Sequence, residues 1–310
     1  MLNISLLRHK TPTATAADPN AWLLSSQCLQ PVITPHRPQS HNWARRSLLG
    51  CSGLGLAVYY LKSPALGWSS ELRQWPVELQ VGRFQIHADF DVSNLTDLPL
   101  ALSDLAEDVT SVLDVAPSQQ PVHVVLFASA SEYQRYMRNY FPQLPERRAL
   151  FIQDRGPGML FAHWHADIAS DLRHEVAHAL LNDAPRPLPL WLDEGLAKYF
   201  EAERSRRFDG HVYLQEVCQR ARNAIVPALE TLEAVNQLSD FHESHYRDSW
   251  AWGHFLIHRS VATRNLLKHT LAEHRSGADT LPFSRQLALL SSRGGSDAQS
   301  EFLAHFRMFA

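Results

Sequence analysis

The chain has 310 residues, of which 45% are hydrophobic and 20% charged, with a formal net charge of −3. Such a composition is globular, long enough for one or two domains with a buried core, and lacks the positive excess that a nucleic-acid binder needs to neutralise phosphates. Three cysteines (Cys28, Cys51 and Cys218) are too few and too dispersed for a disulfide framework or a cysteine-rich metal site, whereas histidine is abundant at 17 residues.

Residues 1–70 read as an export signal or membrane anchor outside the fold. Up to residue 46 the basic side chains Arg8, Lys10, Arg37, Arg45 and Arg46 face one acid, Asp18, and prolines are scattered among them. Arg45-Arg46 then leads into an uncharged run from Ser47 to Leu61, short for a bilayer span but suited to the apolar core of a signal peptide. The arginine pair resembles a twin-arginine signal, and Ala65-Leu66-Gly67 offers a small-residue cleavage site. The expected location is extracytoplasmic, with membrane contact only through this segment if it is not cleaved. A buried helix at the start of the domain is the competing reading.

From residue 71 onward the pattern is that of one α+β domain. Residues 83–90 alternate, with Phe84, Ile86, Ala88 and Phe90 on one face, which predicts a half-buried strand. Leu98, Leu102, Leu105, Val109 and Val112 recur at helical spacing. Pro121–Phe127 is apolar enough for a buried strand. Ser129 to Glu132 is a capping-box signature, opening a helix whose stripe is Tyr133, Tyr136, Met137 and Tyr140. Short strands are expected around Ala149–Gln153 and Gly158–Trp164, the latter a candidate edge for pairing with an extended peptide. From Asp167 onward nearly everything reads as helix. Strands early and helices late give a small twisted sheet with a mainly helical C-terminal part.

The chemistry is concentrated in His174-Glu175-Val176-Ala177-His178. Two histidines four apart lie one helical turn from each other on the same side, so both imidazoles can reach one zinc ion. The glutamate between them sits where it can take a proton from water on the metal. A chain of this composition would contain about 0.04 such strings by chance. Leu172, Val176, Ala179 and Leu180 form a separate buried stripe, and Asn182-Asp183-Ala184-Pro185 supplies a helix stop. A second helix follows in Trp191-Leu192-Asp193-Glu194-Gly195-Leu196-Ala197-Lys198-Tyr199. Fifteen residues separate His178 from Glu194, enough for a turn and a return helix to bring a carboxylate back to the metal.

With these two segments the sequence resembles the gluzincin metallopeptidases, in which HExxH is followed by a glutamate ligand in a W-L-x-E-G-x-A segment. Aminopeptidase N-like enzymes carry a related version with slightly longer spacing. The fuller likeness is to the peptidase MA-like family of exported bacterial proteins. It runs from about residue 77 to beyond 260 and takes in the Val-Val-Leu-Phe strand and the segment Tyr246-Arg247-Asp248-Ser249-Trp250-Ala251. The resemblance implies a zincin-like fold, zinc held by His174, His178 and Glu194, Glu175 as general base, and a peptide or protein substrate. It also implies an oxyanion donor from the helical half, where Tyr246, His242 and His245 are candidates and Tyr246 is preferred. One position departs from thermolysin-like enzymes: Lys198 stands where an aspartate would orient a histidine ligand, leaving Asp193 or Asp171 for that task. A non-catalytic pseudo-peptidase using the same cleft for binding is the alternative.

Other histidines are expected to be structural. His254 and His258 are four apart but flank Phe255, Leu256 and Ile257, the pattern of a packing helix. His163 and His165 alternate on a strand-like segment, at the surface or along a substrate groove. Cys218 is expected to be an unpaired buried thiol.

Overall fold

A computed structural model describes residues 75–309 apart from 93–97, 117–119, 154–156, 185–186 and 295–296. The proposed export segment lies outside the described residues. Among those described, no helix is long and apolar enough to cross a membrane.

The chain opens with a hairpin of β1 (Val77–Val81) and β2 (Phe84–Ala88), turned at Gly82, whose φ of 55° is a conformation that glycine adopts without steric cost. α1 (Leu98–Leu113) crosses over to β3 (Val122–Phe127), and α2 (Ala130–Tyr140) follows. Ser129 caps α2 by accepting from the Glu132 amide at 3.3 Å, which is one of the two bonds of the expected capping box. β4 (Ala149–Ile152) and β5 (Gly158–His163) complete a five-stranded sheet in the order β1-β2-β3-β5-β4. β2, β3 and β5 are mutually parallel, while β1 and β4 run antiparallel at the two edges.

Ten α-helices among the described residues make the fold mixed α+β and mostly helical. After the sheet come α3 (Ile168–Leu181), α4 (Leu190–Glu201), α5 (Leu214–Arg222), α6 (Leu229–Ala234), α7 (Glu243–His258), α8 (Val261–Arg275), α9 (Phe283–Gly294) and α10 (Ala298–Arg307). The alternation of β2 puts Phe84, Ile86 and Ala88 on one sheet face, where Val124, Leu126, Phe151 and Leu160 join the core shared with α1, α3 and the helical half. Val125, Phe127, Leu150 and Phe161 point the other way and pack under Tyr133 and Met137 of α2. Helices therefore cover both faces of the sheet.

Two expectations change. β5 lies between β3 and β4, hydrogen-bonded on both sides, so it cannot pair with a peptide; the edge is β4. β1 was not anticipated, because its only apolar residues, Val77, Leu79 and Val81, form a short edge strand that stays largely exposed.

α4 is the element that fixes the site. Trp191, Leu192, Leu196, Ala197 and Phe200 are all buried, so the helix is apolar nearly all round and runs through the interior against α3 and α7. Gly195 sets its distance from α7. A Cβ there would lie 2.5 Å from the Ser249 carbonyl oxygen, which rules out a side chain without moving a backbone.

Candidate metal centre

α3 and α4 bring His174, His178 and Glu194 together, the one group of three or more potential metal ligands that converges among the described residues. His174 and His178 direct their Nε2 atoms to within 3.2 Å of each other. Glu194 Oε2 lies 3.5 Å from His174 Nε2 and 3.7 Å from His178 Nε2. Tetrahedral coordination with bonds of about 2.0–2.1 Å puts ligand atoms ~3.4 Å apart, so the three separations match the edges of one coordination tetrahedron. Glu194 is 1% exposed, and its Oε2 accepts no hydrogen bond among the described residues. A buried carboxylate oxygen of that kind is stabilised by nearby positive charge, which a bound cation or a protonated imidazole can supply.

The outer nitrogens of both rings face carboxylates. His178 Nδ1 is 3.0 Å from Asp193 Oδ2, and His174 Nδ1 is 3.0 Å from Glu201 Oε2. Carboxylates at Nδ1 leave Nε2 as the coordinating atom and make the ring more basic, the usual support of a metal-ligating histidine. Asp193 is itself tied by Asn182 Nδ2 at 2.8 Å, and the same amide nitrogen reaches the His178 carbonyl at 3.1 Å, joining the end of α3 to the start of α4. Asp171, the other candidate for this supporting role, pairs instead with Arg148 at 3.0 Å and His165 at 3.2 Å. Lys198, where thermolysin-like enzymes carry an acid, neutralises Glu201 at 2.7 Å.

Electrostatics follow from the excess of acids. Burial alone would lower the His178 pKa, but Asp193 and Glu194 outweigh it and push the ring up to about 10. Glu194 is raised by burial and lowered further by the two imidazoles, ending below the ordinary carboxylate value. Glu201 is held down to about 2: burial opposes this, and His174 and Lys198 prevail. Four carboxylates (Glu175, Asp193, Glu194 and Glu201) around two imidazoles form a pocket suited to a divalent ion.

Glu175 lies beside the cluster and is anchored from the sheet. Its Oε2 accepts from the Phe151 amide of β4 at 2.7 Å. A cleft of about 340 Å³ opens over it, lined by Arg147, Ala149, His174, Glu175, Glu201 and Tyr246 among others. Tyr246, in the first turn of α7, stands on the far wall, with Arg147 Nη2 at 3.4 Å from its hydroxyl. Burial, Glu194 and other neighbours raise its phenol to about 12, so the proton stays in place near neutrality. Neither alternative oxyanion donor is among the residues lining this cleft; the His242 amide donates to His245 Nδ1 at 3.0 Å at the start of α7.

His254 and His258 are packing residues, as expected. His254 is fully buried between His305 Nε2 and the Phe208 carbonyl, each at 2.9 Å, and His258 Nε2 meets the Tyr199 hydroxyl at 2.9 Å. His163 packs on Tyr133 and His165 on Asp171; neither lines the cleft. Cys218 is a free buried thiol. Arg147, Asn182 and Gly195 were not expected at the site from sequence. Asn182 was read only as part of a helix stop, Gly195 stood next to the proposed glutamate ligand, and Arg147 carried no cue.

Comparison of the chain with protein-family models and with curated protein sequences gives no match.

Proposed function

We propose that this chain is an exported zinc-dependent peptidase of gluzincin type, with a zincin-like version of the α+β fold. The observation that carries the reading is the convergence of His174 Nε2, His178 Nε2 and Glu194 Oε2 at tetrahedral spacing, with Glu175 at the mouth of the same cleft. Two imidazoles and one carboxylate, with an open side, form the donor set of a catalytic zinc site. Zinc held there supplies a Lewis acid that makes water acidic enough to attack near neutral pH.

The chain's own residues supply the rest. Glu175 spends one carboxylate oxygen on the Phe151 amide, which fixes its orientation and leaves the other to take the proton from water and hand it to the leaving amine. Tyr246 donates its hydroxyl hydrogen to the carbonyl oxygen as negative charge grows there. β4, the sheet edge beside Glu175, offers a backbone along which an extended peptide or protein segment can lie. Nothing in the cleft or in the net charge favours a nucleic acid. Export rests on Arg45-Arg46 and the apolar run after it, by the twin-arginine route or with that segment kept as an anchor.

The test is direct. The full chain, purified without chelator, is expected to carry about one zinc ion per molecule and to cleave members of a mixed peptide library read by mass spectrometry. A protein with no affinity for zinc would sink the proposal. A zinc-loaded protein that binds peptides and cuts none would return the reading of a non-catalytic pseudo-peptidase.

A further inference from the structure

Arg147 lies two residues before the cleft-lining edge strand and differs from the other cations there. Arg148 is paired with Asp171 at 3.0 Å, and Lys198 with Glu201 at 2.7 Å. Arg147 is half-buried, and its hydrogen bond goes to a neutral group, the Tyr246 hydroxyl, at 3.4 Å; no carboxylate among the described residues forms an ion pair with it. Its guanidinium still feels Glu194 and Glu175 across the cleft. Tyr246, Glu194 and Glu175 outweigh burial and keep the guanidinium charged, so the partners of Arg147 are cleft groups and its role is to be sought there.

The donor and acceptor inventory supplies one. A guanidinium has only N–H donors, so at this contact the phenol oxygen must accept. The single O–H of Tyr246 is then left to donate to something else. Two contacts hold the ring in this orientation: Phe241 packs edge-on at 4.8 Å, and Lys198 Nζ sits 5.7 Å from the ring centroid. We infer that Arg147 is a positioning residue that turns the Tyr246 hydroxyl hydrogen into the cleft and adds positive charge beside the oxygen that gains negative charge in the reaction. The inference rests on the peptidase reading of the site. Donors preorganised in this way lower a barrier without tightening the ground state, so the effect belongs in kcat.

The test is a double-mutant cycle on the zinc-loaded full chain, with a peptide that wild type cleaves. Arg147→Met is expected to lower kcat about 10-fold or more with little change in KM, while zinc content and Tm hold. In the Tyr246→Phe background the same substitution is expected to cost little, because the group it acts through is gone. Arg147→Lys, which keeps a donor and a charge, restores part of the loss. A second readout does not need turnover. The ¹³Cζ resonance of Tyr246, assigned by its absence in Tyr246→Phe, moves in Arg147→Met when the hydrogen bond to the phenol is lost. An unmoved resonance, or equal losses in both backgrounds, would overturn the inference. So would a rise in KM at constant kcat, which would make Arg147 a binding group for a substrate carboxylate. Failure of wild type to cleave any peptide would overturn the peptidase reading instead, and the resonance would still decide whether Arg147 sets the phenol.

Discussion

His178 is held between two consecutive carboxylates: Asp193 Oδ2 lies 3.0 Å from its Nδ1, and Glu194 Oε2 lies 3.7 Å from its Nε2. One turn of α4 thus provides both a proposed ligand and the support of a proposed ligand on α3. Asp193→Ala is expected to weaken zinc binding about 10–100-fold. His174→Ala, His178→Ala and Glu194→Ala are each expected to weaken it more, since two ligands cannot hold the ion as three do. Competition with a chromogenic chelator measures all four. Undiminished affinity in Glu194→Ala would remove that residue from the ligand set.

Glu175→Gln preserves the side-chain length and an oxygen that can accept from the Phe151 amide, so zinc content and Tm are expected to stay at wild-type levels. Peptide hydrolysis should fall about 10²–10⁴-fold, the range for loss of a general base. Persistence of full activity in a zinc-loaded Glu175→Gln protein would refute the proposed mechanism.

Gly195→Ala tests the contact between α4 and α7. The new Cβ would meet the Ser249 carbonyl oxygen at 2.5 Å and carbon at 2.8 Å, both backbone atoms that cannot rotate aside. Overpacking of this kind costs about 1–3 kcal/mol, read as a lower urea midpoint. Because Glu194 and Tyr246 ride on the two helices forced apart, activity per folded molecule is expected to fall as well. A stability equal to wild type would show that the helices separate without cost.

The buried histidine cluster around His254 is expected to contribute to acid sensitivity. Burial lowers His254 to about 2 and His305 to about 4, with His258 close to both, His211 adding to the effect on His254 and Arg259 to that on His305, against one favourable contact from the Phe208 carbonyl. In the unfolded chain both rings titrate near about 6.5. As pH falls below that value the unfolded state takes up protons that the folded state refuses, so stability present above pH ~6.5 is lost progressively, toward pH ~4 for His305 and on toward pH ~2 for His254. The urea midpoint should drop between pH 7 and 5, and His305→Gln should show a shallower drop. An identical slope in the variant would remove His305 from the cause.

Local signals carried the sheet and the first helices. The alternation at Phe84–Ala88, the Ser129 cap and the four-residue histidine spacing are all set by neighbours in sequence, and each appears in the structure. The trio of potential ligands was also legible, because α3 and α4 are adjacent and their turn is short. What sequence could not provide is contact across long separations. Tyr246 and Arg147 are 99 residues apart, and nothing periodic links them. Asp193 and Asp171 were indistinguishable as supports because the choice depends on which face of α3 meets α4. The edge position of β4 depends on strand order, which short apolar runs do not encode.

The hydrogen bond from the Phe151 amide to Glu175 has a mechanical meaning. It fastens Glu175, the proposed base, to the wall of the cleft as well as to the helix that carries it. Anything that docks along that wall inherits a fixed distance to the carboxylate, so alignment is inherited from docking and need not be searched for afterwards. A distortion of the wall would spoil proton transfer while leaving the ion-binding residues undisturbed.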